Sequence, residues 1–152
     1  MHRLAEDDVV ERHEDAEGAS RPPLVVLEPL AAFLDQAGIG EGPIEIEPVG
    51  EGHSNVTFLV TRGDAEFILR RPPRPPLPPS AHDVLREARV ISALAGRARV
   101  PRVLAACEDE SVIGAPFFLM DRVPGEVITS EMPQALSAPE ECRRTGEELI
   151  DG

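Results

Sequence analysis

A polar loop framed by two glycines has the residue types that can bind a phosphate group. Residues 50–55 read Gly-Glu-Gly-His-Ser-Asn and lie between two strand-like segments. Gly50 and Gly52 permit close approach of the backbone to a ligand, and Ser54 offers a hydroxyl and an amide to a phosphate oxygen. Asn55 could hold the shape of the loop through bonds from its side chain to the backbone. Glycine pairs are also common in ordinary hairpins, so the loop alone gives weak support for a phosphate site.

An arginine and a glutamate that follow the loop could complete such a site. All 15 Lys or Arg positions are arginine, so any fixed cation must be a guanidinium. Strand alternation lets only one of Arg70 and Arg71 face the loop, and the register of the preceding apolar residues favours Arg70. Glu87 lies about 40° from Ile91, at the edge of the apolar face of a predicted helix. An ordinary surface pair would contribute under about 1 kcal/mol, and the placement of Glu87 argues against that alternative.

Two histidines lie near these residues, and neither is assigned a catalytic role. His53 lies within the glycine loop, where a lone histidine is typical of a solvated turn. His82 and Asp83 resemble a general-base pair, but adjacent helix positions point about 100° apart. Asp83 is instead expected to complete a capping box with Ser80 at the start of the helix. The proline-rich residues 71–79 predict a stiff extended connector, or alternatively a ligand for an SH3 domain.

The pattern along the chain predicts an α+β domain. Alternating apolar residues predict a meander of three strands, with the glycine loop at the first hairpin, and two further strands that complete a five-stranded sheet. Helical spacing predicts a first helix that ends at Gly38, a second that carries Glu87 and a third that begins near Ser137. The five strands are predicted at residues 44–49, 56–60, 66–71, 103–107 and 116–123.

The chain is predicted to divide into three parts. Residues 1–23 are charged and nearly free of large apolar side chains, which is typical of a disordered tail. Residues 24–125 contain the loop, the sheet and the second helix, and form the domain proper. Residues 126–152 extend from the last strand into the third helix.

Composition limits the classes of partner. The net charge of -13, from 15 Lys+Arg and 28 Asp+Glu, repels nucleic acid and anionic membrane surfaces. Cys107 and Cys142 have no paired spacing, which fits free thiols in a reducing compartment. The start of the chain is acidic, and no apolar run approaches the roughly 20 residues of a membrane helix. We therefore expect a cytoplasmic protein with no nucleic-acid or membrane partner.

Four sequence motifs follow one another in a specific order. They are GEGHSNVTF at 50–58, ILRRPP at 68–73, AHDVLRE at 81–87 and PFFLM at 116–120. In this order they resemble the aminoglycoside phosphotransferase and choline kinase-like family, and in particular the branch that is also found fused to acyl-CoA dehydrogenases. The resemblance covers residues 27 to 150, and four motifs in order are far more specific than any one alone. The resemblance implies the N-terminal lobe of a protein kinase-like fold, with a five-stranded antiparallel sheet, a glycine-rich loop and an αC-type helix.

The resemblance also implies a role for each motif in binding ATP. The glycine loop would cover the phosphates, Arg70 would take the role of the phosphate-binding lysine, and Glu87 would pair with it. Met120 and the residues after it would form the hinge to a second lobe. Adenine would bond the backbone groups of Asp121 and Val123. Most kinases have lysine at this position. Arginine is not equivalent to it, because the guanidinium is planar and spreads its charge over several donors, whereas the lysine ammonium is a compact charge.

The same family carries its catalytic loop, His-Gly-Asp followed by an Asn, and its Mg²⁺ ligands in the second lobe. Residues 1–152 contain no such segment, so we expect negligible kinase activity from the chain alone. A hydroxylated small molecule would be the acceptor in the family. A lone lobe would expose the strand at 116–120, which predicts a homo-oligomer or a separate chain carrying the second lobe. The alternatives are a non-catalytic nucleotide-binding or protein-interaction module and a small α+β protein that binds no nucleotide.

Overall fold

The computed structural model of the chain describes residues 4–50, 54–79, 81–125, 128 and 131–151. Short 3-10 turns lie at Glu6–Asp8, His13–Ala16 and Gln134–Leu136. The helices are α1 (Leu27–Ala37), α2 (Val84–Leu94) and α3 (Pro139–Asp151). The strands are β1 (Val9–Val10), β2 (Val25–Val26), β3 (Ile44–Pro48), β4 (Val56–Arg62), β5 (Ala65–Arg71), β6 (Val103–Cys107) and β7 (Phe117–Asp121).

Five of the strands form one antiparallel sheet in the order β3-β4-β5-β7-β6. The predicted α+β class and the five-stranded antiparallel sheet are therefore confirmed. The tight turn between β4 and β5 follows the chain, whereas β7 inserts between β5 and β6. This order places the last strand of the sheet beside the strand that ends in Arg70 and Arg71.

One face of the sheet packs against α1 and forms the larger core. Side chains at every second position of β4, β5 and β7 point into it, as strand alternation requires. The ring of Phe33 on α1 meets that of Phe117 edge to face, with 5.1 Å between ring centroids. The helix ends where predicted, because Gly38 adopts a left-handed φ of 69° that ordinary residues avoid. Fully buried members of this core include Leu30, Leu34, Phe58, Val60, Leu69 and Leu119.

The opposite face of the sheet packs against α2. Val84 and Ala88 of the helix are buried against Phe118 of β7. The helix begins at Val84, later than the predicted start at Ser80, which lies outside the described residues. Asp83 is the N-cap itself, and its carboxylate accepts the backbone N–H of Arg86 at 2.9 Å. A carboxylate in that position satisfies an amide that the helix leaves unpaired. Asp83 therefore caps the helix as expected, but as the N-cap itself and not as the partner of Ser80 in a capping box, and the predicted helix start is wrong.

The N-terminal segment differs from the disordered tail predicted for residues 1–23. In its described part, β1 pairs in parallel with β2, and the backbone N–H of Leu24 donates to the carbonyl of Asp8 at 2.7 Å. Asp8 is only 4% exposed and accepts from Arg74 at 2.6 Å and from Arg21 at 2.9 Å. The charges that suggested solvation are thus partly paired across the chain, which composition alone does not reveal.

Replacing Asp8 with asparagine is expected to lower the free energy of unfolding at neutral pH by about 1–3 kcal/mol. Burial acts to raise the pKa of Asp8, but the N–H of Ala5 and the guanidinium groups of Arg74 and Arg21 outweigh it, so the pKa lies below its usual value. A lowered folded-state pKa gives stability that is present above the unfolded pKa of about 3.9 and is lost as the pH falls through the folded value. Urea unfolding at neutral pH and at about pH 3 measures this loss.

The matched control for that change is Asp7→Asn, since Asp7 is the exposed neighbour. We expect Asp7→Asn to leave the unfolding midpoint nearly unchanged at both pH values. The difference between Asp8→Asn and the unsubstituted chain should shrink in acid, because Asp8 of the unfolded chain takes up a proton at a higher pH than Asp8 of the folded protein does. An equal effect of the two substitutions at neutral pH would show that the Asp8 ion pairs do not hold the segment.

Arg71 ends β5 on the core side and is 2% exposed. Its Nε donates to the carbonyl of Pro72 at 2.9 Å, and its Nη1 donates to the carbonyl of Ile113 at 3.3 Å and to that of Leu24. Burial, and secondarily the nearby Arg74, lower the pKa of Arg71 to about 10. The guanidinium therefore stays charged at neutral pH and joins the N-terminal segment, the sheet and the turn before β7.

The strand at 117–119 is covered within the chain itself. Phe117, Phe118 and Leu119 are fully buried. Phe117 and Leu119 lie in the larger core on the α1 face of the sheet, and Phe118 packs under α2 on the opposite face. The expectation that a lone lobe exposes this strand is therefore wrong. Exposed large apolar side chains occur instead on the outer side of α2, after β7 and at the end of α3. Within the part of the chain that the structure describes, no helix is long and apolar enough to cross a membrane.

Candidate functional site

A network of side-chain hydrogen bonds joins the glycine loop, the sheet and α2. Arg70 of β5 approaches Glu87 of α2 through Nε, at 2.8 Å from Oε1 and 3.1 Å from Oε2. Nη1 of Arg70 donates to the hydroxyl of Thr57 at 3.1 Å. The amide of Asn55 donates to Oε2 of Glu87 at 3.1 Å, and Nδ1 of His82 lies 3.0 Å from Oδ1 of Asn55. Five side chains from three parts of the chain thus meet at one place.

Strand register and helix packing explain why Arg70 and Glu87 meet. Thr57 and Phe118 are the cross-strand neighbours of Arg70, so all three side chains lie on the α2 face of the sheet. Ala88 packs on Phe118, and this contact brings the preceding Glu87 over Arg70. The predicted ion pair is confirmed, as is the prediction that Arg70 and not Arg71 faces this side.

The pair differs from an ordinary surface ion pair. The side chains of Arg70 and Glu87 are 27% and 31% exposed, whereas those of Arg122 and Glu66, which also pair, are about half exposed. A partly desolvated pair is held more firmly, because solvent and salt screen it less. Among the described residues, Nε and Nη1 of Arg70 are engaged and Nη2 has no partner. No residue in the described ranges therefore occupies Nη2, and that nitrogen can donate to an anion.

The described part of the glycine loop lies directly beside this pair. Gly50 has a φ of 77°, a conformation that favours glycine. The backbone N–H of Val49 closes the hairpin by donating to the carbonyl of Thr57 at 2.9 Å. Ser54 is exposed. Asn55 bonds the side chains of Glu87 and His82, so the predicted role in side-chain to backbone bonds is not the one observed. Gly52 and His53 lie outside the described residues.

An apolar row lies next to Arg70 on the same face of the sheet. Leu59, Ile68 and Met120 are cross-strand neighbours and are half-buried. They lie two residues along their strands from the Thr57 and Arg70 row, a separation of about 7 Å. Sequence reasoning named Met120 but missed Leu59 and Ile68. Strand alternation within β5 could have placed Ile68 with Arg70, whereas Leu59 required the register between strands. The site therefore combines a cation with an adjacent flat apolar surface.

Asp121 and Val123, the proposed hinge residues, follow this row. The backbone N–H of Asp121 donates to the carbonyl of Arg102 at 2.9 Å, and its carboxylate pairs with the guanidinium of Arg102 at 3.2 Å. That amide is therefore engaged within the protein. Val123 lies beyond the end of β7 and is exposed.

His82 is a member of the network that sequence reasoning did not assign. Its φ of 60° is left-handed, which is uncommon for a residue other than glycine. A general-base pair of His82 with Asp83, which the sequence analysis rejected, does not form, because that carboxylate caps α2. The signal that could have found His82 is its position immediately before the cap, within reach of the loop.

The two cysteines are free, with Cys107 buried and Cys142 exposed. Burial raises the pKa of Cys107, so the thiol is protonated at neutral pH. Within the described ranges, no group of three or more His, Cys, Asp or Glu side chains could hold a metal ion. The chemistry that the described residues offer is therefore binding of an anion and an apolar group.

Comparisons with known proteins agree with this geometry. A family profile described as "Phosphotransferase enzyme family" matches residues 45–151. Mouse acyl-CoA dehydrogenase family member 10 is 45% identical over 85 residues, which is 55% of this chain and 8% of that protein. Human acyl-CoA dehydrogenase family member 11 is 35% identical over 117 residues, which is 73% of this chain and 15% of that protein. The chain thus spans a small part of the curated relatives it matches.

A solved structure gives the same result for the fold. The crystal structure of a candidate aminoglycoside phosphotransferase from Ralstonia eutropha matches with a TM-score of 0.55 and 36% identity, over 67% of this chain and 29% of that chain. Because the family profile covers most of its length, the chain belongs to the phosphotransferase enzyme family and has the kinase-like fold of that family.

Proposed function

We propose that this chain binds ATP as the nucleotide-binding lobe of a small-molecule phosphotransferase. The single observation that carries the proposal is the Arg70 guanidinium, which Glu87 and Thr57 hold in place beside the glycine loop. Phosphoryl transfer needs a positioned cation near the phosphates, and a cation held by two partners loses little freedom when an anion binds.

The geometry supports arginine in the role that lysine has in most kinases. A lysine has one ammonium group, which must serve both the glutamate and the phosphate. Arg70 divides these tasks, since Nε and Nη1 bond Glu87 and Thr57 while Nη2 remains for a phosphate oxygen. Guanidinium groups also suit phosphate because their donors are planar and directed. The departure from lysine is therefore compatible with ATP binding.

The residues around Arg70 supply the rest of the proposed nucleotide site. Gly50 and Ser54 would lie over the phosphates, and we retain Gly52 in the same role from the sequence. The row that contains Met120 would carry the adenine ring, because half-buried apolar side chains give a flat surface next to the cation. Since the amide of Asp121 is engaged, its carbonyl and the backbone of Val123 are the proposed adenine contacts.

Two further parts of the proposal rest on the family and on the sequence. ATP would supply the transferred phosphoryl group, with Mg²⁺ bound to its phosphates. We propose that the Mg²⁺ ligands and the catalytic carboxylate belong to the second lobe that the family resemblance implies. The lobe alone would then have negligible activity, and the acceptor would be a small hydroxylated molecule. We also propose that the protein is cytoplasmic and that it self-associates.

The test is calorimetric titration of the chain with Mg-ATP, together with Glu87→Gln. We expect saturable binding, and about tenfold weaker binding for Glu87→Gln, because a neutral amide holds the Arg70 guanidinium less firmly than a carboxylate does. The matched control is Glu66→Gln, which removes the exposed partner of Arg122. It should leave the affinity unchanged.

Three results would be informative. Absence of binding by the unsubstituted chain would contradict the proposal and favour a protein-interaction module. Equal loss in Glu87→Gln and Glu66→Gln would show that the Arg70 pair is not the site. Turnover of ATP by the chain alone would contradict the proposal that the catalytic carboxylate and the Mg²⁺ ligands lie outside this lobe.

A further inference from the structure

We propose that His82 is a positioning residue that orients Asn55, and through it Glu87 and Arg70, for nucleotide binding. The inference deepens the proposed function and rests on it. Among the described residues, the hydrogen bond of the His82 side chain is to Asn55 and not to Arg70. His82 acts through the bond between its Nδ1 and Oδ1 of Asn55, which lies 3.0 Å away.

The direction of each hydrogen bond follows from the chemistry of Glu87. An ionised carboxylate only accepts, so Asn55 must direct its NH₂ group at Oε2 of Glu87. The same orientation directs Oδ1 of Asn55 at His82. Because that oxygen also only accepts, Nδ1 of His82 must carry the proton. Both the neutral Nδ1–H form and the imidazolium supply this donor.

The backbone of His82 adds a second, independent observation. A left-handed φ of 60° is unfavourable for a residue with a side chain and persists where other contacts hold it. His82 is followed at once by Asp83, whose carboxylate caps α2. The ring therefore extends from the rigid start of that helix to the end of the glycine loop at Asn55. It ties the loop to the helix that carries Glu87.

Loss of the His82 donor would release the amide of Asn55. The amide could then rotate and direct its oxygen at Glu87, where two acceptors repel. Glu87 would lose one of the donors that fix its carboxylate, and its bonds to Arg70 at 2.8 and 3.1 Å would loosen. The cation would remain near the loop but would be less well oriented toward a phosphate.

The test compares three replacements that tolerate the left-handed backbone. Asparagine and aspartate have almost the same shape and both adopt this conformation, but only asparagine can donate. Glycine adopts it with neither a donor nor a charge. We expect His82→Asn to bind Mg-ATP within about twofold of the unsubstituted chain, and His82→Asp and His82→Gly to bind about three- to tenfold more weakly. Equal affinities for all three variants would overturn the inference.

A measurement that needs no nucleotide separates this inference from the proposed function. The ¹⁵N spectra of the four histidine side chains report which ring nitrogen is protonated, and the signals missing from His82→Asn identify His82. We expect a protonated Nδ1. An unprotonated Nδ1 overturns the inference whatever the nucleotide does. If the chain fails to bind Mg-ATP but Nδ1 is protonated, the proposed function fails and the hydrogen-bond network stands.

Discussion

Replacement of Arg71 by alanine is expected to lower the free energy of unfolding by about 2–4 kcal/mol. The guanidinium is buried and bonds the carbonyls of Leu24, Ile113 and Pro72. Alanine would leave a cavity and would leave the two more distant carbonyls without their donor. Relief of the buried charge offsets part of this loss, since burial lowers the pKa of Arg71 to about 10 and so opposes its charged form.

The lowered pKa of Arg71 also predicts how its contribution to stability changes with pH. A folded-state pKa below the unfolded value means that the folded protein binds the proton of Arg71 less tightly than the unfolded chain does. The stability contributed by Arg71 should therefore increase as the pH rises through about 10. Stability of the unsubstituted chain relative to Arg71→Ala, measured by urea unfolding near pH 7 and near pH 10.5, tests this direction.

The control is the neighbouring Arg70→Ala, which removes the same side chain from the opposite face of the sheet. We expect a smaller loss there, because Arg70 is partly exposed and its removal leaves no fully buried carbonyl without a donor. Circular dichroism would establish that both variants are folded before their unfolding midpoints are compared. Equal destabilisation by the two substitutions would contradict the structural role given to Arg71.

For nucleotide binding we expect the larger effect from substitution of Arg70 and not of Arg71. Arg70→Ala is expected to weaken Mg-ATP binding about 10- to 100-fold, because hydrogen bonds between a guanidinium and a phosphate are charge-assisted and worth about 1.5–3 kcal/mol. The affinity would be measured by calorimetric titration at one salt concentration. Arg144→Ala, which removes an exposed arginine that pairs with Glu148, is the matched control and should leave the affinity unchanged.

Arg70→Lys makes the test more specific. Lysine keeps the positive charge, but it cannot direct separate nitrogens at Glu87, Thr57 and a phosphate. We therefore expect an affinity between those of the unsubstituted chain and Arg70→Ala. Affinity for Mg-ATP that is the same in all three proteins would show that Arg70 does not contact the nucleotide. Binding by Arg70→Lys as weak as that by Arg70→Ala would show that geometry, and not charge, is what the site requires.

Much of the candidate site could be predicted because its main determinants are local and periodic. Alternation along one strand assigns Arg70 and Arg71 to opposite faces, and helical spacing places Glu87 at the edge of the buried face of α2. The same reasoning located the five strands and the end of α1 at Gly38. These features depend on residues within a few positions of one another, and backbone geometry limits the choices there to a few.

The remaining features depend on contacts between residues far apart in the chain. From the sequence, Asp8 was assigned to a solvated tail, but in the fold it pairs with Arg74. Arg71 donates to the carbonyls of Leu24 and Ile113, which are distant in sequence. The His82 bond to Asn55 likewise crosses from the start of α2 to the end of the glycine loop. Periodicity shows which side of a strand or helix a side chain faces. Which partner it meets there is decided by sheet order and by the crossing of α2, because buried polar groups pair with whatever donor or acceptor the packing brings within reach.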